Sequence, residues 1–185
     1  MQLRFDFIDV MLNAPSEGTC SDATLVISGA DAVSTKVIPT NLCGDLSGQH
    51  LYASVKDMDN VTLTITLNAT STQKWNILVS QFDSTQTDYL APRGCLQYFR
   101  QDIGRITSFN NVNTTGMAEM LNDHMYTICI AQNDDYCDVA LTANVFDLDG
   151  SAGACTDSLT FGTSQQCGTT FGTSDSLLCK YPLKF

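Results

Sequence analysis

The chain has 185 residues, room for one large or two small domains, and its 43% hydrophobic content supplies cores that a disordered chain lacks. Nine basic residues against 20 acidic ones give a net charge of −11, which disfavours nucleic acid and anionic lipid as partners. No run of about 18 apolar residues occurs, so no membrane-spanning helix is expected.

In chain order, Leu3, Phe5 and Phe7 alternate with Arg4 and Asp6, the pattern of a strand with one wet face. Ile8, Val10 and Leu12 then move the apolar positions to the other parity, which predicts a bulge or a strand buried on both faces. Asn13–Gly18 reads as a turn, Leu25–Ile27 as a short buried strand, and His50–Val55 as another. Val61, Leu63, Ile65 and Leu67 share one face of the cleanest strand, with Thr62, Thr64 and Thr66 on the other. Trp75–Val79 follows as a strand, and residues 83–88, DSTQTD, read as a linker.

Ala91-Pro-Arg-Gly94 interrupts regular structure, because Pro lacks a donor and Gly loosens the backbone. A half-buried strand pattern restarts at Cys95. Tyr126–Ile130, Cys137–Ala143 and Val145–Leu148 read as further strands, and Met117–Met125 as a single turn or short helix at most. Phe161-Gly-Thr-Ser164 recurs as Phe171-Gly-Thr-Ser174, an echo expected of a disulfide-pinned loop pair. Short strands separated by regular turns predict an all-β antiparallel sandwich.

Eight cysteines stand at Cys20, Cys43, Cys95, Cys129, Cys137, Cys155, Cys167 and Cys179, with no C-x-x-C and only two histidines, His50 and His124. Zinc sites need close Cys/His pairs, so four disulfides in an oxidising compartment fit better than zinc or eight reduced thiols. Sequons at Asn60, Asn68 and Asn113 agree with secretion. The opening MQLRFDFIDVML is broken by Arg4, Asp6 and Asp9 and is no signal peptide. A removed signal, or a start inside a longer precursor, reconciles the two.

Cys95, then Gly104-Arg-Ile106 and Ser108-Phe-Asn110, resembles the opening of a CUB domain. Val139-x-Leu141, Phe146-Asp-Leu148 and Cys155-Thr-Asp157 with Cys179 resemble its later elements, and GCLQYF and YTICI are most similar to arthropod CUB-like secreted proteins. Phe5-Asp-Phe7, Cys20-Ser-Asp22, Leu25-Val-Ile27, Leu42-Cys-Gly44, Val61–Leu67 and Trp75-Asn-Ile77 resemble the second half of another such module. The resemblance implies a disulfide-stabilised CUB-like jelly roll in two tandem modules. Residues 1–84 would be the C-terminal part of one, 85–90 a linker, and 91–185 a second one truncated at its C-terminal end.

The same resemblance implies bonds Cys20–Cys43 and Cys155–Cys179, with Cys95 and Cys129 in the position of the family's first pair. Cys137 and Cys167 remain, and sequence alone does not fix connectivity. Incomplete sandwiches expose edges and an apolar face. Strands from elsewhere in a longer chain, strands from neighbouring molecules, or the two pieces completing one another would each cover them. Calcium-binding members of the family carry acids that Asp22 and Asp157 only approximate, and no Glu follows Leu12 or Leu148, so no metal and no cofactor is expected. Asp134-Asp135, Asp147/Asp149 and His124 beside Asp123 read as turn and loop residues rather than catalytic ones. The expected function is an extracellular, non-enzymatic structural or assembly protein, whose partner is another protein or a second copy. A secreted module recognising a protein or glycan is the alternative.

Overall fold

A computed structural model describes residues 1–56, 59–68, 72–111, 119–132, 139–151, 154–162 and 164–172. It divides into two compact units: Met1–Tyr98 with Ile103–Ile128, and Phe99–Asp102 with Cys129–Phe185. The division does not coincide with residues 85–90.

The first unit is an antiparallel sandwich. One sheet has the order β3-β1-β5, with β1 at Gln2–Met11, β3 at His50–Ser54 and β5 at Lys74–Phe82. The other pairs β2 (Thr24–Ser28) with β4 (Thr62–Thr66). The parity change in β1 is a register shift between Phe7 and Asp9 against β5. It turns Val10 inward after Phe5 and Phe7, and all three are buried. That is how one strand serves a core with both parities. A four-residue helix, α1 (Ser34–Val37), interrupts the strands and was not legible as a period. Asp31 caps it, accepting the Ser34 N–H at 2.8 Å.

The core joins Phe5, Phe7, Val10, Leu25, Leu42 and Leu51 to Leu96, Phe109 and Leu121, with Tyr126 packed against it. Residues on both sides of the expected linker therefore share one core. Of the expected ways to complete the first piece, the chain uses its own later residues on this side.

The second unit contains short hairpins. β8 (Gly150–Ser151) pairs with β9 (Ala154–Cys155), and β10 (Leu159–Phe161) with β11 (Ser164–Gln166). Within it Ala131 N–H donates to Phe99 O at 2.7 Å. The division between units runs through β6 (Gln97–Phe99) and β7 (Ile128–Ile130).

One sequence expectation is corrected here. Val139–Ala143 and Val145–Asp147 are irregular rather than strand, and only Leu148 bridges, to Gly168. Val145, 88% exposed, has no apolar surface to pack on, so the alternation there lacks the burial that makes a strand. Residues 119–125 hold a turn at Asn122–Asp123, the smaller of the two forms expected there, and Met117 lies outside the described residues.

Candidate interaction surface

The two long sides of the first sandwich differ. At β3, residues from the second half of the chain cover the core. Tyr52 N–H donates to Leu96 O and Leu96 N–H to Thr127 O, both at 2.8 Å. Gln2 clasps Ala91 with both ends of its amide, accepting the Ala91 N–H at 2.7 Å and donating to Ala91 O at 3.2 Å. Gln97 Nε2 donates to His50 O at 3.1 Å and Gln49 Nε2 to Ser108 O at 2.6 Å. Asn110, inside the Ser-Phe-Asn element, accepts the Asp45 N–H at 3.1 Å and donates to Glu119 O at 3.0 Å. Gly44 has φ +77°, and a Cβ there would collide with the Asn110 side chain, so the close approach requires glycine.

His50 begins β3 and is buried on this side. Burial, with the Arg4 guanidinium nearby, lowers its pKa to about 4. Its Nε2 lies 3.2 Å from both the Tyr98 N and the Tyr98 O, so the neutral ring accepts the Tyr98 N–H in one tautomer and donates to the Tyr98 carbonyl in the other. Arg4 also reaches Asp6 at 2.7 Å and lies over the Tyr52 ring. This is a structural polar cluster, closed by its own partners. His124 is held at Asn41 O at 3.0 Å, and burial lowers its pKa too.

The opposite side is open. β4 and β5 each end their sheet, and among the described residues neither strand has a neighbour beyond β2 and β1. In register, Val79 lies across from Phe5, Ile77 from Phe7 and Trp75 from Val10. Those β1 residues are 3%, 1% and 0% exposed, yet Val79 is 46% and Trp75 58% exposed. The core-facing side of β5 therefore runs out into solvent. Leu63 and Ile65 of β4 are partly buried against the core, and Leu67 beyond them is exposed. On the outer face of the same region Leu78 and Ile8 are exposed as well. The outcome is a seam, apolar inside, whose β4 and β5 edges have no strand partner among the described residues.

Of the cysteines, Cys20 bonds Cys43 and Cys155 bonds Cys167, each pair with Cα atoms 5.7 Å apart. The second bond corrects the implied Cys155–Cys179 pairing. Cys155 ends β9 and Cys167 follows β11, so the β10–β11 hairpin brings the two together. Cys95 and Cys129 are each disulfide-bonded. Cys137 and Cys179 lie outside the described residues, as does the sequon Asn113. Asn60 is exposed and Asn68 half-buried, one at each end of β4.

Among the described residues no three His, Cys, Asp or Glu side chains gather as a metal site. Asp22 and Asp157 therefore have no companion ligands there, and Asp134 and Asp135 lie outside the described residues. A polar dent of about 250 Å³ is lined by Ser47, Gly48, Gln49, Arg105, Thr107 and Asn111. No helix among the described residues is long and apolar enough to cross a membrane.

Residues 92–182 match the family model of the animal CUB domain. That stretch of the chain belongs to the CUB family. It is shared between the two units, since Leu96, Phe109 and Leu121 sit in the first unit's core. Comparison with curated proteins and with solved structures gave no match. CUB domains mediate protein–protein interaction and are typically extracellular, and the disulfides are consistent with that setting.

Proposed function

We propose that this protein is an extracellular, non-enzymatic assembly protein that makes its contacts through the open seam of the first unit. The carrying observation is that Trp75 and Val79 face the core side of an edge strand and remain about half exposed. A partner adding a strand beside β5 would bury them and satisfy the edge at once, the logic of strand complementation. If the donor strand is heterologous, each added chain presents a new edge and a filament grows. If the contact is isologous, assembly stops at a closed pair. Secretion and glycosylation at Asn60, Asn68 and Asn113 belong to the same reading.

The test uses the disulfide-intact protein from a secretory host, immobilised and exposed to extracellular proteins and to itself. Binding lost in the double variant Trp75→Lys/Val79→Lys supports the reading, whereas binding indifferent to both substitutions overturns it. One observation favours the alternative of glycan recognition. The polar dent at Gln49 holds Arg105, which makes no ion pair with a described carboxylate, and so suits an acidic sugar. Glycan binding lost in Arg105→Ala, with the seam variant unaffected, would select it.

A further inference from the structure

We propose that the partner at the seam is a second copy of this chain, joined by antiparallel pairing of β5 with β5 across a two-fold axis at Leu78. The inference rests on the reading of the seam as the interaction surface. It deepens that reading by naming the occupant.

The first argument is the edge itself. β5 is nine residues long, contains no Pro, and carries no charge from Trp75 to Phe82. Its one charged residue, Lys74, is already engaged by Asp9 at 2.9 Å. Edge strands are commonly blunted by charge, Pro, bulges or a covering element, and among the described residues β5 shows none of these on its free side. β4 differs, because the sequons at Asn60 and Asn68 bracket it. A glycan at Asn60 would crowd the Thr62 end of that edge, whereas Asn68, bonded to Gln73 just before β5, stands between the two edges.

The second argument is self-complementarity. Pairing centred on Leu78 sets Ile77 against Val79 of the second copy, and Trp75 against Gln81 of the second copy. The core-facing residues of one strand then meet those of the other, since residues directly opposite share a face. Each molecule brings an opening of the same length, with the same apolar lining, so one contact closes both. The sheet becomes six-stranded, in the order β3-β1-β5-β5-β1-β3. A foreign strand closes only one seam.

The third argument is charge. A net −11 opposes self-association in general. Between Trp75 and Phe82 there is no charge to desolvate or repel, so the opposition is long-range and screened by salt. Dimerisation should therefore strengthen as ionic strength rises, opposite to an interface made of ion pairs.

Sedimentation equilibrium of the disulfide-intact protein, from ~1 to ~100 μM, spans the affinities expected of a modest interface. A monomer–dimer equilibrium that tightens with salt supports the proposal. Trp75→Lys/Val79→Lys should weaken it at least ~10-fold, while Thr64→Lys on β4 leaves it unchanged. The wild type provides an independent reading. Amide exchange within residues 74–82 should slow with concentration at the residues whose N–H groups face outward. A wild type that stays monomeric, or exchange indifferent to concentration, overturns the dimer. The two readings fail separately. A monomer whose binding to other extracellular proteins is lost in the double variant sinks the dimer alone. Binding to those proteins that survives the double variant sinks the seam reading.

Discussion

The β3 side and the β5 side of the first unit are built from strands of similar character and end differently. At β3 the chain returns to its own edge. Leu96 bonds Tyr52, and Phe109 and Leu121 complete the core. At β5 no strand among the described residues pairs with the outer edge, Tyr89 only stacking on Phe82 at its end, and Trp75 and Val79 stay about half exposed beside an apolar interior. The contrast teaches that the piece resembling the later part of a CUB module receives local cover, but on one side. Cover on the other side, if it comes, comes from a further strand.

The largest expected effect falls on the closed side. Phe109→Ala removes a ring that is 2% exposed and sits in the shared core, and should cost about 3–5 kcal/mol in urea denaturation. A loss below about 1 kcal/mol would mean that residues after Ala91 merely rest on the sandwich. Next is the bond that ties the segment before β2 to the segment before β3. Cys20→Ser/Cys43→Ser opens a loop of sequence separation 23 and should cost roughly 3 kcal/mol.

His50 makes the closed side sensitive to acid. Its folded pKa, about 4, lies below the ordinary value of 6.5, so the unfolded chain takes up a proton that the folded one refuses. The contribution is complete above about pH 6.5 and is lost as pH falls toward 4, up to about 3 kcal/mol. Urea midpoints from pH 7 to 4.5 should slope downward in the wild type and more shallowly in His50→Gln. Equal slopes would place the acid sensitivity elsewhere.

How much of this was legible follows from where the signal lay. β1 to β5 were readable because each carries a short apolar or alternating run, and the parity change at Ile8 gave the bulge as one of two alternatives. The open seam was legible only in outline, as a sandwich short of strands. Which edge is open depends on the order β3-β1-β5, and a strand's own residues do not encode its neighbours. Trp75 and Val79 read only as strand positions, because an apolar run reports a strand and not its cover. The Gln2–Ala91 clasp and the burial of His50 escaped for a similar reason. Both join residues about 50 to 90 apart in sequence, through side chains that could equally face water. In the second unit the hairpin that pairs Cys155 with Cys167 overrode the family spacing, since geometry selects among cysteines that sequence leaves equivalent.

The smallest expected change in stability falls on the open side, and it decides whether that side is open. Trp75→Lys/Val79→Lys replaces two side chains already in water for about half their surface. Each forfeits little burial on folding, and the long lysine stems can lie along the same strip with their ammonium groups in solvent. The monomer should therefore change by no more than about 0.5 kcal/mol, the range of ordinary surface substitutions. Measured well below the dissociation constant of the dimer, the urea midpoint should be near that of the wild type. Above it the wild type alone should gain stability with concentration, because a partner that binds only the folded state adds to it by mass action. A loss of more than about 2 kcal/mol in the dilute variant would show that something covers β5 in the monomer itself. The two sides of the sandwich would then be alike, and the search for a partner strand would move elsewhere.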